Sequence, residues 1–369
     1  MRSNQYFLPA FPYSDLWRKA LATLKTVRKD ALKSLASGAG LEHLTYYRDD
    51  GKPKDMLQVD KEAENRCKTI LLDKFGGEEN LLVLGEETLW KLPDSLDLSK
   101  QSVSFGPGAD PIVSNTPETR MTAIVDMIDG SDLLERGFEN WCSALVFFRP
   151  GPPPLIIASF VHHSNGSIYG ADQFSAFFIP SKAGTVPRRL RGPEPRSLEA
   201  PPDVGLPAQQ MEELKRTPEY ARQIAICFYA QKTGHFASIP TAGLTDWLKS
   251  VYKGKDRLRI YTLAGNPMMA KLADGEHVHA VFEHSEKGQY AHDMVPGGYI
   301  ALRAGAHLVD ACSQEEIFED TLASWLLQPA QRHRYALGST LPIAAQLAAV
   351  LKKPGLDAPA APKSARVAD

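Results

Sequence analysis

Cysteine is scarce in this chain: four thiols, Cys67, Cys142, Cys227 and Cys312, stand far apart and form no CxxC or CxxH pair. That spacing excludes a disulfide framework and a thiolate zinc site, and it predicts buried, reduced thiols. Long apolar runs are also missing. No segment approaches the ~20 consecutive apolar residues of a membrane span, and Met1-Arg2-Ser3-Asn4 leads into a mixed polar-aromatic stretch, not the apolar core of a secretory signal. The expectation is a soluble, cytoplasmic protein without a membrane partner. Nor is there an excess of one charge. Forty-two basic against forty-four acidic side chains leave a net charge of −2, which excludes holding nucleic acid mainly by bulk charge. There is no internal repeat.

What remains is an ordinary globular composition, 43% hydrophobic and 23% charged over 369 residues, long enough for two domains. Apolar residues at helical spacing predict helices over 14–35, with Ser14 as N-cap, and 60–75, with Gly76-Gly77 as the stop. Short apolar runs at 81–84, 122–125, 144–148, 155–161 and 176–179 predict strands. Residues 1–182 therefore form an α+β domain. Residues 183–217 are rich in Pro and Arg and predict a linker loop. Strand and helix signals then alternate over 218–352: strands at 224–228, 258–263, 277–282 and 307–309, helices at 244–252, 267–273, 295–304 and 343–351. This predicts an α/β domain. The Ala/Pro-rich stretch 353–369 has nothing to bury and predicts a disordered tail. A second irregular stretch, 93–118, has no periodic run, and loops of that length inside a domain are usually functional or disordered.

Three segments set carboxylates at strand ends or helix starts. They are Gly85-Glu86-Glu87, Asp126-Met127-Ile128-Asp129-Gly130-Ser131 and His292-Asp293-Met294-Val295-Pro296-Gly297. Singly, each has a plain explanation. Asp60 and Asp293 read as helix caps, Glu86-Glu87 as a solvated turn, Asp-Gly as a common turn pair. Together, carboxylates without partner thiols suit a hard, oxygen-preferring ion, Mg²⁺ or Mn²⁺. Asp126 and Asp129 flank an Ile whose carbonyl can also face inward. Gly130-Ser131 offers backbone amides for a phosphate.

In this order the segments resemble the metal-dependent, lithium-sensitive phosphatases of the inositol monophosphatase superfamily, which includes fructose-1,6-bisphosphatase and the bisphosphate nucleotidases. Lys54 to Asp60 is similar to the family's K-x-D-x-V-T-x-x-D entry with a shortened spacing. Gly85-Glu86-Glu87 matches G-E-E, Asp126 to Ser131 matches D-P-[IL]-D-G-[TS], and Ala264-Gly265-Asn266 stands at its G-S-A turn. His292 to Gly297 matches W-D-x-A-A-G, and Arg303 to Ala306 the downstream A-G-G. The resemblance implies a layered α/β/α/β/α sandwich of the sugar-phosphatase type, commonly a homodimer, with two to three Mg²⁺ ions and Li⁺ as an inhibitor. It implies one ion on Glu86, Asp126 and the Ile128 carbonyl, and a second on Asp126, Asp129 and Asp293. Asp60 and Ser131, with Glu86, would carry catalysis. Gly130, Ser131, Asp129, Gly265, Asn266, Glu283, His292 and Asp293 would meet a small-molecule phosphate substrate. The implied activity is hydrolysis of an inositol or sugar phosphate. Two alternatives stand beside it: a nucleotide or ketose bisphosphate phosphatase, with the arginines of 187–191 meeting a second phosphate, and a binding protein that kept the fold without turnover.

Departures gather on the substrate side. Met127 replaces Pro, His292 replaces Trp, Val295-Pro296 replaces Ala-Ala, and Asn266-Pro267 alters the turn. Among the histidines, His162-His163 read as structural or solvent-facing, His277 and His279 share one strand face, and His284 and His292 lie near the substrate. Trp141 and Phe147-Phe148 read as core, and Arg136 as a surface charge.

Overall fold

The computed structural model describes residues 14–47, 53–106, 111–182, 185, 187–190, 224–229, 239, 243–244, 258–275, 278–285 and 287–352. Helix α1 (Ser14–Ala36) buries Leu16, Trp17, Ala20, Leu24, Val27 and Ala31 along one stripe. Helix α2 (Gln58–Phe75) buries Val59, Ala63, Cys67 and Leu71 and stops at Gly76, whose φ of 83° suits a residue without Cβ. Both helices lie on a seven-stranded sheet in the order Arg188–Leu190, Ala176–Ile179, Ile168–Asp172, Leu155–His163, Cys142–Arg149, Met121–Asp129, Leu81–Gly85. Alternation along each strand divides the two cores. Leu81, Val83, Ala123 and Val125 face α1 and α2, whereas Leu82, Leu84 and Ile124 face the opposite side.

Two short helices, α3 (Glu86–Lys91) and α4 (Ser131–Glu135), leave the ends of adjacent strands. Against the far face of the sheet pack α5 (Asn266–Leu272), α6 (Ala291–Arg303) and α7 (Glu319–Trp325). A six-stranded sheet follows, ordered Leu258–Tyr261, Ile224–Phe228, Ala280–Phe282, Tyr335–Gly338, His307–Asp310, Glu316–Ile317. Its other side is closed by α8 (Leu341–Leu351), which buries Ile343, Ala344, Leu347, Ala348 and Leu351. The layers are thus α/β/α/β/α. One buried cluster runs from Leu84 and Phe148 through Met294 and Tyr299 to Val281 and Leu337, so the two sheets share a core.

Several expectations need correction. The 93–118 stretch is not structureless: Ser102–Phe105 and Pro111–Ser114 form an antiparallel hairpin, and buried Glu118 is gripped by the Arg120 guanidinium. Within the expected linker, Arg188–Leu190 adds an edge strand, which the preceding Pro187 tolerates. Tyr335–Gly338 is a central strand that the sequence reading did not identify. The strands expected over 258–263 and 277–282 are shorter, Leu258–Tyr261 and Ala280–Phe282. Cys312 is exposed, against the expectation of buried thiols, while the other three are buried. Residues 191–223, most of the helix expected over 244–252, and 353–369 lie outside the described residues. Among the described residues no helix is long and apolar enough to cross a membrane.

Candidate functional site

Strand pairing brings the first carboxylates together. Leu81–Gly85 and Met121–Asp129 run parallel with Gly85 opposite Val125, so Glu86 and Asp126 leave the same end of neighbouring strands. Asp129 lies three residues beyond Asp126, and in a regular strand the two would face opposite sides. The pairing shifts between them: Asp126 opposes Ala144 and Asp129 opposes Cys142, three steps against two. That bulge restores the parity, and both carboxylates face the same way. Ser143 Oγ donates to the Met127 carbonyl at 2.7 Å inside the bulge, where Ile128 is also buried. Gly130 then turns the chain with φ 96°, and a Cβ there would press within 3.3 Å of the Asn140 carbonyl oxygen. The amides of Gly130 and Ser131 begin α4, only five residues long, so any anion preference rests on the amides themselves more than on a macrodipole.

From α2, Asp60 Oδ2 accepts the Leu57 N–H at 3.4 Å, so the capping role is real. Its charge also reaches Asp126. Burial first, then the neighbouring charges of Asp129, Glu86, Asp293 and Asp60, raises the Asp126 carboxyl well above the usual carboxylate range. Asp129 is raised by burial and by Asp293, against the hydrogen bonds of Asn266, with Glu86 adding a smaller push. No lysine or arginine among the described residues pairs with Asp126 or Asp129. Crowded, buried negative charge without a basic partner is the environment that a bound cation relieves. The donors are all hard oxygens, which fits Mg²⁺ or Mn²⁺. Among the described residues no three His, Cys, Asp or Glu side chains already close on one point tightly enough to hold an ion.

The second half contributes through α5 and α6. Pro296 sits inside α6 and has no N–H for the His292 carbonyl one turn earlier. That carbonyl is satisfied from another helix, by Asn266 Nδ2 at 2.9 Å. Asn266 Oδ1 in turn accepts the Gly297 N–H at 2.8 Å, and its backbone N–H donates to Asp129 Oδ2 at 3.0 Å. Asn266 thereby ties Asp129 to the helix that carries Asp293. Its side chain is fully buried, so the expected substrate contact gives way to a holding one. Two glycines make room. A Cβ at Gly265, where φ is 76°, would lie 3.0 Å from Asp129 Oδ2, and one at Gly297 would lie 2.7 Å from the Asn266 carbonyl oxygen.

His292 is buried as well. Its Nε2 lies 3.2 Å from Asp293 Oδ1, and its ring stacks on Tyr290, with centroids 5.3 Å apart, under the Arg332 guanidinium. Glu283 is buried and accepts the Ser285 N–H at 2.6 Å. Sequence reasoning missed Tyr335, whose hydroxyl donates to Gln289 Oε1 at 2.7 Å; burial, then Glu283, Asp293 and Asp129, pushes its ionisation far up. Glu64, one turn after Asp60, was missed too: it packs so closely on Gly85 that a Cβ there would sit 1.9 Å from its carboxyl carbon. Helical spacing from Asp60 was the available signal.

The remaining candidates fall elsewhere. His162 and His163 are both buried, not solvent-facing, and burial lowers their pKa values to about 4 and about 3. His279 Nδ1 accepts the Ala225 N–H, while His277 lies outside the described residues. His284 packs edge-on against Phe228. Arg136 is exposed and Trp141, Phe147 and Phe148 are core. Arg188 pairs with Asp274 and Arg189 donates to the Phe174 carbonyl, while Arg191 lies outside the described residues.

No protein-family model and no curated protein sequence matches the chain. Solved structures do. An IMPase of Thermotoga maritima is similar over 91% of this chain and 96% of its own, with a TM-score of 0.55 and 14% identity. An inositol monophosphatase-fructose 1,6 bisphosphatase is similar over 89% and 98%, with a TM-score of 0.55 and 16% identity. Staphylococcal inositol monophosphatase-1, in a lithium chloride-soaked inhibitory complex, is similar over 91% and 93%, with a TM-score of 0.55 and 14% identity. The chain is a layered α/β protein. More particularly, it has the inositol monophosphatase fold.

Proposed function

We propose that the chain is a Mg²⁺-dependent phosphomonoesterase acting on a small phosphate ester. The observation that supports this most directly is the crowding of Asp60, Glu86, Asp129 and Asp293 around buried Asp126, whose carboxyl their charges and burial raise well above the usual carboxylate range. Glu86, Asp126 and the Ile128 carbonyl would hold one ion, and Asp126, Asp129 and Asp293 a second. Bound there, divalent ions supply Lewis-acid chemistry: they neutralise phosphate oxygens and make water acidic enough to attack near pH 7.

The chain's own groups would do the rest. Asp60 accepts the proton of the attacking water with the Ser131 hydroxyl orienting it, and the Gly130 and Ser131 amides bind the phosphate oxygens. Asn266 fixes Asp129 relative to α6, because positioning and charge supply most of phosphoryl-transfer catalysis. Li⁺ would inhibit by entering the position of Asp126, Asp129 and Asp293, and the His292 and Pro296 surroundings of Asp293 would weaken that inhibition. The resemblance also motivates a homodimer.

Phosphate release from a panel of small phosphoesters, measured with Mg²⁺ and with EDTA, tests the reading. It expects chelator-sensitive turnover that Asp126→Asn abolishes. Turnover indifferent to EDTA, or none of any ester in Mg²⁺, overturns it.

A further inference from the structure

Next to the carboxylate cluster lies a cavity of about 760 Å³ whose walls are the continuations of the two segments that meet at Asp129. One wall, with Asp132, Leu133 and Phe138, runs on from Gly130-Ser131. The other, with Ile260, Tyr261 and Leu263, runs into Gly265 and Asn266, whose N–H binds Asp129. Asn140, on the cavity wall, backs directly onto Gly130. The size falls within the range of small-molecule sites.

The lining is apolar where the proposed chemistry leads one to expect polar. Phe138, Ile260 and Tyr261 are 58%, 50% and 45% exposed. Single exposed apolar residues are commonplace, but three converging on one cavity mark a surface for binding. Some of the polar groups pair with one another or with neighbours. Tyr229 donates its hydroxyl to Asp132 at 3.1 Å, and Asn140 Oδ1 accepts from Lys271 at 3.2 Å. Asn140 Nδ2 is buried and makes no hydrogen bond, and the exposed Arg136, Glu139 and Thr262 complete the polar side of the wall.

We propose that this cavity receives an apolar, preferably aromatic ring carried by the substrate's alcohol, so that the enzyme prefers phosphomonoesters of ring-bearing alcohols to those of bare polyols. This rests on the phosphatase reading, which supplies the phosphate end of the ligand. The occupant is the substrate because the cavity adjoins the phosphate turn through Asp132 and Asn140.

The test compares kcat/KM for 2-naphthyl phosphate and glycerol 2-phosphate in the wild type, Phe138→Ala and Ile260→Ala, with Phe174→Ala as a control at an exposed phenylalanine outside the cavity. Because these side chains are exposed, their truncation leaves folding intact. The wild type should favour the naphthyl ester by at least about tenfold, and each cavity variant should lower that ratio about tenfold, the scale of one apolar contact in a specificity pocket. The control should keep the ratio. Preference for glycerol 2-phosphate, or a ratio that Phe138→Ala and Ile260→Ala leave unchanged, overturns the proposal. If neither ester is turned over, the phosphatase reading has failed and the cavity is judged by binding alone. Saturable 2-naphthyl phosphate binding, followed by its own fluorescence and weakened about tenfold by Phe138→Ala, then supports the cavity. No saturable binding to the wild type overturns it.

Discussion

The segments 85–131 and 265–297 reach the same carboxylate cluster by different physical routes. In the first, backbone strand pairing does the work. A parallel strand pair sets Glu86 beside Asp126, and a local bulge turns Asp126 and Asp129 to one side. In the second, a side chain bridges two helices. Pro296 removes a helix hydrogen bond, and Asn266 supplies the missing donor from another helix while its own N–H holds Asp129. Residues that look like erosion of a substrate pocket are one interlocked joint. The first region carries the charge; the second keeps it in register.

Breaking the first region should have the largest effect on function and the smallest on folding. Asp126→Asn removes a buried carboxylate that four like charges oppose. Phosphate release should fall by at least about a hundredfold, the scale of one lost electrostatic stabiliser. The metal-free melting temperature should rise, because functional sites hold charge at the expense of stability. Calorimetric melting in EDTA beside the phosphate assay checks both; a lower melting temperature contradicts the repulsion.

Breaking the second should do the reverse. Asn266→Ala leaves the His292 carbonyl and the Gly297 N–H unpaired in the interior, at about 2–4 kcal/mol by urea unfolding. Pro296→Ala in that background returns a donor to the His292 carbonyl, so the double variant should recover about 1 kcal/mol or more over additivity. Strict additivity denies the joint. Gly297→Ala should cost about 1–3 kcal/mol, since its Cβ meets a backbone oxygen at 2.7 Å.

The difference also explains what the sequence makes legible. Asp126, Asp129 and Gly130 can be identified because strand end and turn are written within six residues, whereas the bulge that turns both carboxylates to one side depends on the neighbouring strand. Apolar periodicity marks most of the helices and strands, and the layered arrangement follows from the resemblance. The Asn266–Pro296 joint spans thirty positions and two helices, so no local pattern announces it. Tyr335 hides in a four-residue strand, too short for its alternation to be distinctive. Arg188–Leu190 was obscured by the prolines around it.

The smallest expected effect lies away from both regions. Burial lowers His162 to about 4 and His163 to about 3 from 6.5. Both stay neutral when folded, so the unfolded chain binds more protons below pH 6.5, and stability falls as pH drops from there toward 4. Each histidine accounts for at most about 1.4 kcal/mol per pH unit in that window. Melting temperatures between pH 7.5 and 5 should decline, and less steeply in His163→Gln; an equal slope in that variant removes His163 from the account.

The central claim is that the five carboxylates form one cation-binding centre, and titration calorimetry with Mn²⁺ tests it most directly. The wild type should bind with a stoichiometry of at least one and melt at a higher temperature in excess Mn²⁺, while Asp126→Asn and Asp293→Asn lose most of both effects. No binding heat and no shift in melting temperature for the wild type, or binding that both variants retain undiminished, would contradict it.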